Sequence, residues 1–354
     1  RRFRHLRGRH NGESTVAAWR IALRASARRG ETVFKILTLN NISVAGLDRL
    51  PRDRYEVASE MAHPDAILVR SARMHDLVIP DTVKAIGRAG AGTNNIPVAA
   101  MTARGIAVFN APGANANAVK ELVIAGMLIA ARNIGPAWRF AQGLTGDDGA
   151  ISKAVEAGKK QFVGFELPGR TLGVVGLGAI GVQVANAARA LGMRVVGYDP
   201  TITVQRAWQL ASDVQPALSI DDLLSRSDFV TFHVPLTDET RHMINAERIK
   251  IIKQGAVLLN FSREGVLDDD AVVTALDRGH LYAYCCDFPS NLLKDHPRVV
   301  TLPHLGASTK EAEDNCAIMV ADQVRDYLED GTVINSVNFP DIHLSRNGGY
   351  RMAI

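Results

Sequence analysis

The run Thr171-Leu-Gly-Val-Val-Gly-Leu-Gly-Ala-Ile-Gly181 carries an apolar stretch into the pattern G-x-G-x-x-G. Placed between a strand and a helix, that pattern cradles a pyrophosphate. Gly176 permits the tight turn, Gly178 lets the backbone come close to the anion, and Gly181 lets helix and strand approach each other. Ala179 and Ile180 would open the helix, whose free N–H groups and dipole favour negative charge. The next apolar stretch closes on Tyr198-Asp199, 18 residues past Gly181. A carboxylate there accepts hydrogen bonds from a ribose diol and repels a 2′-phosphate, which points to NAD rather than NADP.

Ligands of open α/β sheets gather beyond the carboxyl ends of the strands. Four further runs sit at such ends: Phe232-His-Val-Pro-Leu-Thr237, Asn260-Phe-Ser-Arg-Glu-Gly265, Asp287-Phe-Pro289 and Pro303-His-Leu-Gly-Ala-Ser-Thr309. Arg263 offers a planar fork that can hold a carboxylate and polarise a neighbouring oxygen. His304 offers an imidazole that can take a hydroxyl proton as a hydride leaves the adjacent carbon. One such Arg and one such His near a nicotinamide suit the oxidation of a 2-hydroxy acid.

These residues need elements to hold them. Strand signals fall at 35–39, 66–70 and 106–109, with helices expected over 80–86 and 97–104 and a long helix over 115–131. Residues 133–170, with Gly-Pro, Gly-Asp-Asp-Gly and Leu-Pro-Gly, read as a loose connection. A second series places strands at 171–175, 194–198, 229–232, 256–260, 281–286 and 299–302. Helices are expected between them near 179–191, 219–226, 246–252 and 268–278. A helix over 308–328 and a strand over 333–337 close the body. Strands alternating with helices at this spacing imply βαβ units, so the fold class is α/β with two doubly wound parallel sheets.

The composition narrows the function classes. The chain has 354 residues, 47% hydrophobic and 22% charged, with a formal charge of +4. The length suggests two domains, each able to bury a core. Residues 1–30 hold nine arginines against the single acid Glu13, a charge of +8, which leaves −4 on the rest. The basicity thus belongs to an extension over 1–32 and not to the folded body, which argues against a nucleic-acid partner. That extension has the composition of a transit peptide without a clean amphipathic face, and we expect it to be a disordered addition upstream of the fold. No apolar run is long enough for a membrane span. Three cysteines without CxxC spacing suggest a reducing, cytoplasmic setting, and the histidines show no metal-ligand spacing.

The ordered set Gly87-Arg-Ala-Gly-Ala-Gly-Thr-Asn-Asn95, Phe109-Asn-Ala-Pro-Gly113, the glycine turn, His233-Val-Pro-Leu236, Asn260-Phe-Ser-Arg263 and Pro303-His-Leu-Gly-Ala-Ser-Thr-Lys-Glu-Ala312 resembles the D-2-hydroxyacid dehydrogenase family. The resemblance runs from about Val33 to Pro340, and within the family it is strongest to the branch that oxidises 3-phosphoglycerate to 3-phosphohydroxypyruvate. It implies a discontinuous flavodoxin-like substrate domain (33–131 and 308–340) around a Rossmann NAD domain (132–307). Residues 341–354 would begin a truncated regulatory domain. It also implies Arg263 and His304 as catalytic, and NAD contacts at Ala179, Ile180, Asp199, His233, Pro235, Phe261 and Asp287. Ser71, Gly90, Ala91 and Asn115 would line the substrate carboxylate. Arg70 and Arg88 match positions used for phosphate, and Lys159 and Lys160 could reach over from a neighbouring subunit of a homodimer or homotetramer.

Two departures stand out. The family places a catalytic Glu a few residues past the position of Asp287, where this chain has Asn291; His304 then loses a carboxylate partner unless Asp295 supplies one. Glu264 stands where Gly usually follows the Arg. The alternatives are a hydroxypyruvate or glyoxylate reductase of the same family, and a catalytically weak NAD-sensing protein.

Overall fold

A computed structural model describes residues 33–342. The basic extension and residues 343–354, expected to enter a regulatory domain, lie outside the described residues. In chain order the elements are β1 (Phe34–Leu39), α1 (Val44–Leu47), β2 (Tyr55–Ala58), β3 (Ala66–Val69), β4 (Ala85–Arg88), α2 (Val98–Ala103) and β5 (Ala107–Phe109). Then come α3 (Ala116–Ala131), α4 (Ile134–Gln142), α5 (Asp148–Gly158), β6 (Thr171–Val175), α6 (Ala179–Ala190), β7 (Arg194–Tyr198), α7 (Val204–Ala207) and β8 (Gln215–Pro216). The series closes with α8 (Ile220–Arg226), β9 (Phe229–Phe232), α9 (Ala246–Ile249), β10 (Ala256–Asn260), α10 (Asp269–Asp277), β11 (Leu281–Cys286), β12 (Val299–Thr301) and α11 (Lys310–Asp330).

Two compact units result, one formed by the chain up to Asn115 with the chain from Thr309, the other by Ala116–Ser308. The first holds a parallel five-stranded sheet in the order β2-β1-β3-β4-β5. That is the flavodoxin-like winding, with its switch point between β1 and β3. α11 covers one face, and Cys316, Val320, Val324 and Tyr327 join Ile36, Leu68 and Phe109 in its core. Ile67, Val69, Ile86, Met101 and Val108 fill the other face.

The second unit holds a seven-stranded parallel sheet, β12-β11-β10-β9-β6-β7-β8, wound as a Rossmann fold with its switch point between β6 and β9. α3 and α6 lie on one face, where Val123, Met127, Val184 and Ala188 meet Leu172, Val174 and Leu259. Leu223, Leu224, Val272 and Leu276 cover the opposite face. Burying these apolar side chains is the main favourable term for either unit. Because α3 packs on this sheet, contacts divide the chain at the start of that helix; the sequence reading drew the line at its end.

Three local expectations are corrected. Residues 80–86 form no helix; turns lead directly into β4. No sequence signal marks β2, β4, β8, α1 or α7. The stretch read as a loose connection contains α4, α5 and a 3-10 turn over Lys159–Phe162. No strand forms over 333–337, where only the single bridges Val333–Ile342 and Phe109–Ser336 occur.

Candidate active site

The glycine turn lies between β6 and α6, at the switch point of the second sheet. Gly176 has φ +89°, and a Cβ there would stand 2.6 Å from the His233 carbonyl oxygen. A Cβ on Gly181 would overlap the Gly176 carbonyl oxygen, so only hydrogen fits where helix and turn touch. At Gly178 a Cβ would meet nothing within 4 Å, and no side chain caps α6. The turn is therefore closed behind and open in front, with uncapped helix amides facing the opening. That arrangement fits a dinucleotide pyrophosphate.

Asp199 follows β7 beside this turn. Its Oδ2 accepts from the Leu177 N–H at 2.8 Å, and its Oδ1 accepts from the Thr201 N–H at 2.9 Å and hydroxyl at 3.0 Å. The carboxylate thus fixes the turn from the neighbouring strand and keeps a negative charge beside it. At the end of β9, His233 sets its Nε2 3.1 Å from Thr231 Oγ1, whereas its Nδ1 is buried without a partner. Burial lowers the imidazole pKa to about 3, so the ring is neutral at physiological pH. The Pro235 carbonyl accepts from Thr240 Oγ1 at 2.6 Å. Phe261 is buried with its ring against Gly126 of α3, which leaves its backbone for any cofactor contact.

Arg263 follows β10 on a turn built by Asn260. The buried Asn260 amide accepts from the Ser262 N–H at 3.2 Å and hydroxyl at 2.9 Å, and donates to the Arg263 carbonyl at 3.0 Å. Arg263 Nη1 donates to the Ser262 carbonyl at 2.6 Å. No carboxylate pairs with Arg263 among the described residues, so its charge is available to a ligand. The sequence reading quoted Asn260 but gave it no role; the Asn-x-Ser spacing of such a turn is the signal.

His304 occupies an exposed loop after β12 with φ +54°, a left-handed backbone that costs a non-glycine residue energy. Asp287, 1% exposed, holds that loop: its Oδ1 accepts from the Leu305 N–H at 2.8 Å and its Oδ2 from the Gly306 N–H at 2.9 Å. The Asp287 side chain, expected at the cofactor, also anchors the residues next to His304. The Phe288 ring stands edge-on to the imidazole, with centroids 5.3 Å apart. No carboxylate pairs with His304 among the described residues. Asn291 is exposed, and Asp295 lies 3.9 Å from Lys294. Glu264 is one of four acids about α10. With burial, it and Asp268 and Asp270 push the Asp269 carboxyl up to about 6.

The expected residues from Arg70 to Asn115 belong to the first unit, at the carboxyl edge of its sheet. Arg70 follows β3, and its Nη2 donates to Glu313 Oε1 at 2.7 Å. The Ser71 and Ala72 N–H groups donate to Asn40 Oδ1 at 3.1 and 2.6 Å, tying the ends of β1 and β3 across the switch point. Arg88 ends β4 and folds against Gly90, where a Cβ would overlap its Nη1. The Ala91 carbonyl accepts from Asn110 Nδ2 at 2.6 Å, and Asn115 immediately precedes α3. Arg70, Arg88 and Glu313 all act on the buried Cys316 thiol: burial pushes it up, while Arg88 and Arg70 draw it back. Arg88 is the register partner of Val69, the residue before Arg70, so the two arginines stand at adjoining strand ends. Lys159, in the second unit, pairs with Glu156 at 2.6 Å.

A Rossmann winding with a cofactor-shaped glycine turn and an acid ending the second strand defines an NAD-binding unit. Comparison with known proteins agrees. Residues 124–306 match the family described as D-isomer specific 2-hydroxyacid dehydrogenase, NAD binding domain. Among curated relatives, the chain is 39% identical over 302 residues to D-3-phosphoglycerate dehydrogenase of Methanocaldococcus jannaschii, covering 83% of this chain and 55% of that protein. It is 35% identical over 326 residues to the Bacillus subtilis protein of the same name, covering 87% and 59%. The chain thus spans little more than half the length of these relatives. Among solved structures, the NAD+-bound 3-phosphoglycerate dehydrogenase of Entamoeba histolytica is 26% identical, with TM-score 0.67 over 87% of this chain and 100% of that one. A glyoxylate reductase from Paecilomyes thermophila is also 26% identical, with TM-score 0.69 over 86% and 98%. The chain belongs to the D-isomer-specific 2-hydroxyacid dehydrogenase family, and its cofactor is NAD.

Proposed function

We propose that the protein oxidises 3-phosphoglycerate to 3-phosphohydroxypyruvate. The observation that carries this reading is the placement of Arg263, free of any carboxylate partner among the described residues, and His304, held by Asp287, on two strand-end loops of the NAD-binding unit. The names of the relatives above support the choice of substrate. Arg263 binds the substrate carboxylate and draws electron density from the C2 oxygen. His304 accepts the C2 hydroxyl proton. When bound, NAD supplies the acceptor for the hydride that leaves C2. Asp287 keeps the His304 loop in its strained backbone. Gly176, Gly178, Ala179, Ile180, Gly181 and Asp199 hold the cofactor, with His233, Pro235 and Phe261 beside it. Arg70 and Arg88 are assigned to the phosphate, and Ser71, Gly90, Ala91 and Asn115 to the carboxylate side of the substrate.

Two or four copies acting together in the cytoplasm belong to the same reading; three cysteines that stand free and buried fit a reducing compartment. A second reading, reduction of hydroxypyruvate or glyoxylate, is favoured by the Glu313 carboxylate already seated on Arg70.

The test runs the reaction in reverse, following NADH oxidation with 3-phosphohydroxypyruvate, hydroxypyruvate, glyoxylate and 2-oxoglutarate. The phosphorylated substrate is expected to give the highest kcat/KM, and His304→Ala to lower kcat by about 100-fold or more. Equal or better rates on the unphosphorylated acids would establish the second reading. NADH binding without turnover on any of them would make the chain a sensor of NAD.

A further inference from the structure

The pair formed by Arg70 and Glu313 belongs to no step of the reaction described above. Glu313 lies in the first turn of α11, and its Oε1 accepts from Arg70 Nη2 at 2.7 Å. The side chains are 36% and 41% exposed, so the pair is half in water and can be displaced at low cost. Arg88, the register partner of Val69, ends the adjoining strand, so this edge of the sheet gathers two cations and one anion. The anion sits on the same guanidinium that a phosphate would use.

We propose that Glu313 sets substrate specificity by competing with the substrate's phosphate for Arg70. The inference rests on the reading that Arg70 and Arg88 receive a phosphate. Glu313 holds the Arg70 fork in one orientation, and its negative charge repels an incoming dianion. A phosphorylated substrate must therefore displace this carboxylate or share Arg70 with it, whereas a substrate without phosphate leaves the pair intact. Glu313 acts through Arg70 and is a positioning residue.

The test is Glu313→Gln, which keeps an oxygen to accept from Arg70 and removes the charge. With saturating NADH, KM for 3-phosphohydroxypyruvate is expected to fall about fivefold, the limit set by an exposed ion pair worth up to about 1 kcal/mol. KM for hydroxypyruvate is expected to move by less than about twofold, because no phosphate competes. Thermal melting and NADH titration confirm that the variant is folded, and Glu313→Ala, which frees Arg70 from both charge and acceptor, serves as the second variant. If the wild type prefers the phosphorylated substrate and neither variant lowers its KM, the competition is refuted and the substrate reading stands. If the wild type shows no such preference, the substrate reading fails and carries this inference with it.

Discussion

Two aspartates at strand ends use their oxygens in parallel ways. Asp199 accepts from the glycine turn and Asp287 accepts from the loop of His304. In each case a side chain fixed by a strand immobilises backbone that has no strand of its own. For Asp287 this gives a sharp prediction. Asp287→Ala leaves the Leu305 and Gly306 N–H groups without their acceptor, the latter in a buried residue. A stability loss of about 2–3 kcal/mol is expected in urea titration. kcat should fall at least about tenfold as His304 relaxes from its left-handed backbone, while NADH affinity holds within about threefold. A parallel collapse of NADH affinity would show that Asp287 contacts the cofactor as well as the His304 loop. The glycines and Asp199 were legible in the sequence because their meaning is local, within one strand–turn–helix unit. The Asp287 bonds join residues 18 and 19 apart, and the Arg70–Glu313 pair spans 243, so no local pattern announces them.

At the scale of elements, helix α10 opens on three successive aspartates. Asp268 caps it by accepting from the Ala271 N–H at 3.2 Å, and Asp269 and Asp270 follow in the first turn. Burial, with repulsion from Glu264, Asp268 and Asp270, holds the Asp269 carboxyl up to about 6 against an ordinary value near 3.8. The folded chain therefore takes up that proton more readily than the unfolded one. This contribution to stability is fully present below about pH 3.8 and is lost as pH rises through 6. Asp269→Asn should then raise stability at pH 7 by about 1 kcal/mol after allowance for solvent screening. The gain should vanish near pH 4, as read from denaturation midpoints at the two pH values.

The elements that the sequence misled on have physical causes as well. β4, Ala85-Ile-Gly-Arg88, is buried on both faces and so shows no alternation to read. Gly135-Pro136 looked like a break, yet it falls in the first turn of α4, where proline's missing N–H costs nothing. Asp147 looked like part of a turn and is the cap of α5, accepting from the Ala150 N–H at 2.8 Å.

At the scale of the whole molecule, the first unit is assembled from two stretches of chain separated by the entire second unit. α11 supplies Val320, Ala321, Val324, Tyr327 and Leu328 to the core over β1, β3 and β5. A chain ending at Ser308 would leave that face bare. Such a truncation should lose the helical and sheet signal of the first unit and associate in solution, as measured by circular dichroism and light scattering; a monomer with an intact first unit would refute this account of the core.

The same arrangement orders events on the ribosome. The strands of the first unit emerge early, but the helix that covers them is synthesised only after residues 116–308 have passed. At translation speeds of about 5–20 residues per second, that interval is roughly 10–40 s. Throughout it, Ile36, Leu68 and Phe109 have no α11 to cover them, while the later unit, whose segments are contiguous, can complete its own sheet. The cofactor-binding half is thus placed to complete its sheet first, and the amino-terminal sheet stays uncovered until Tyr327 arrives to close it.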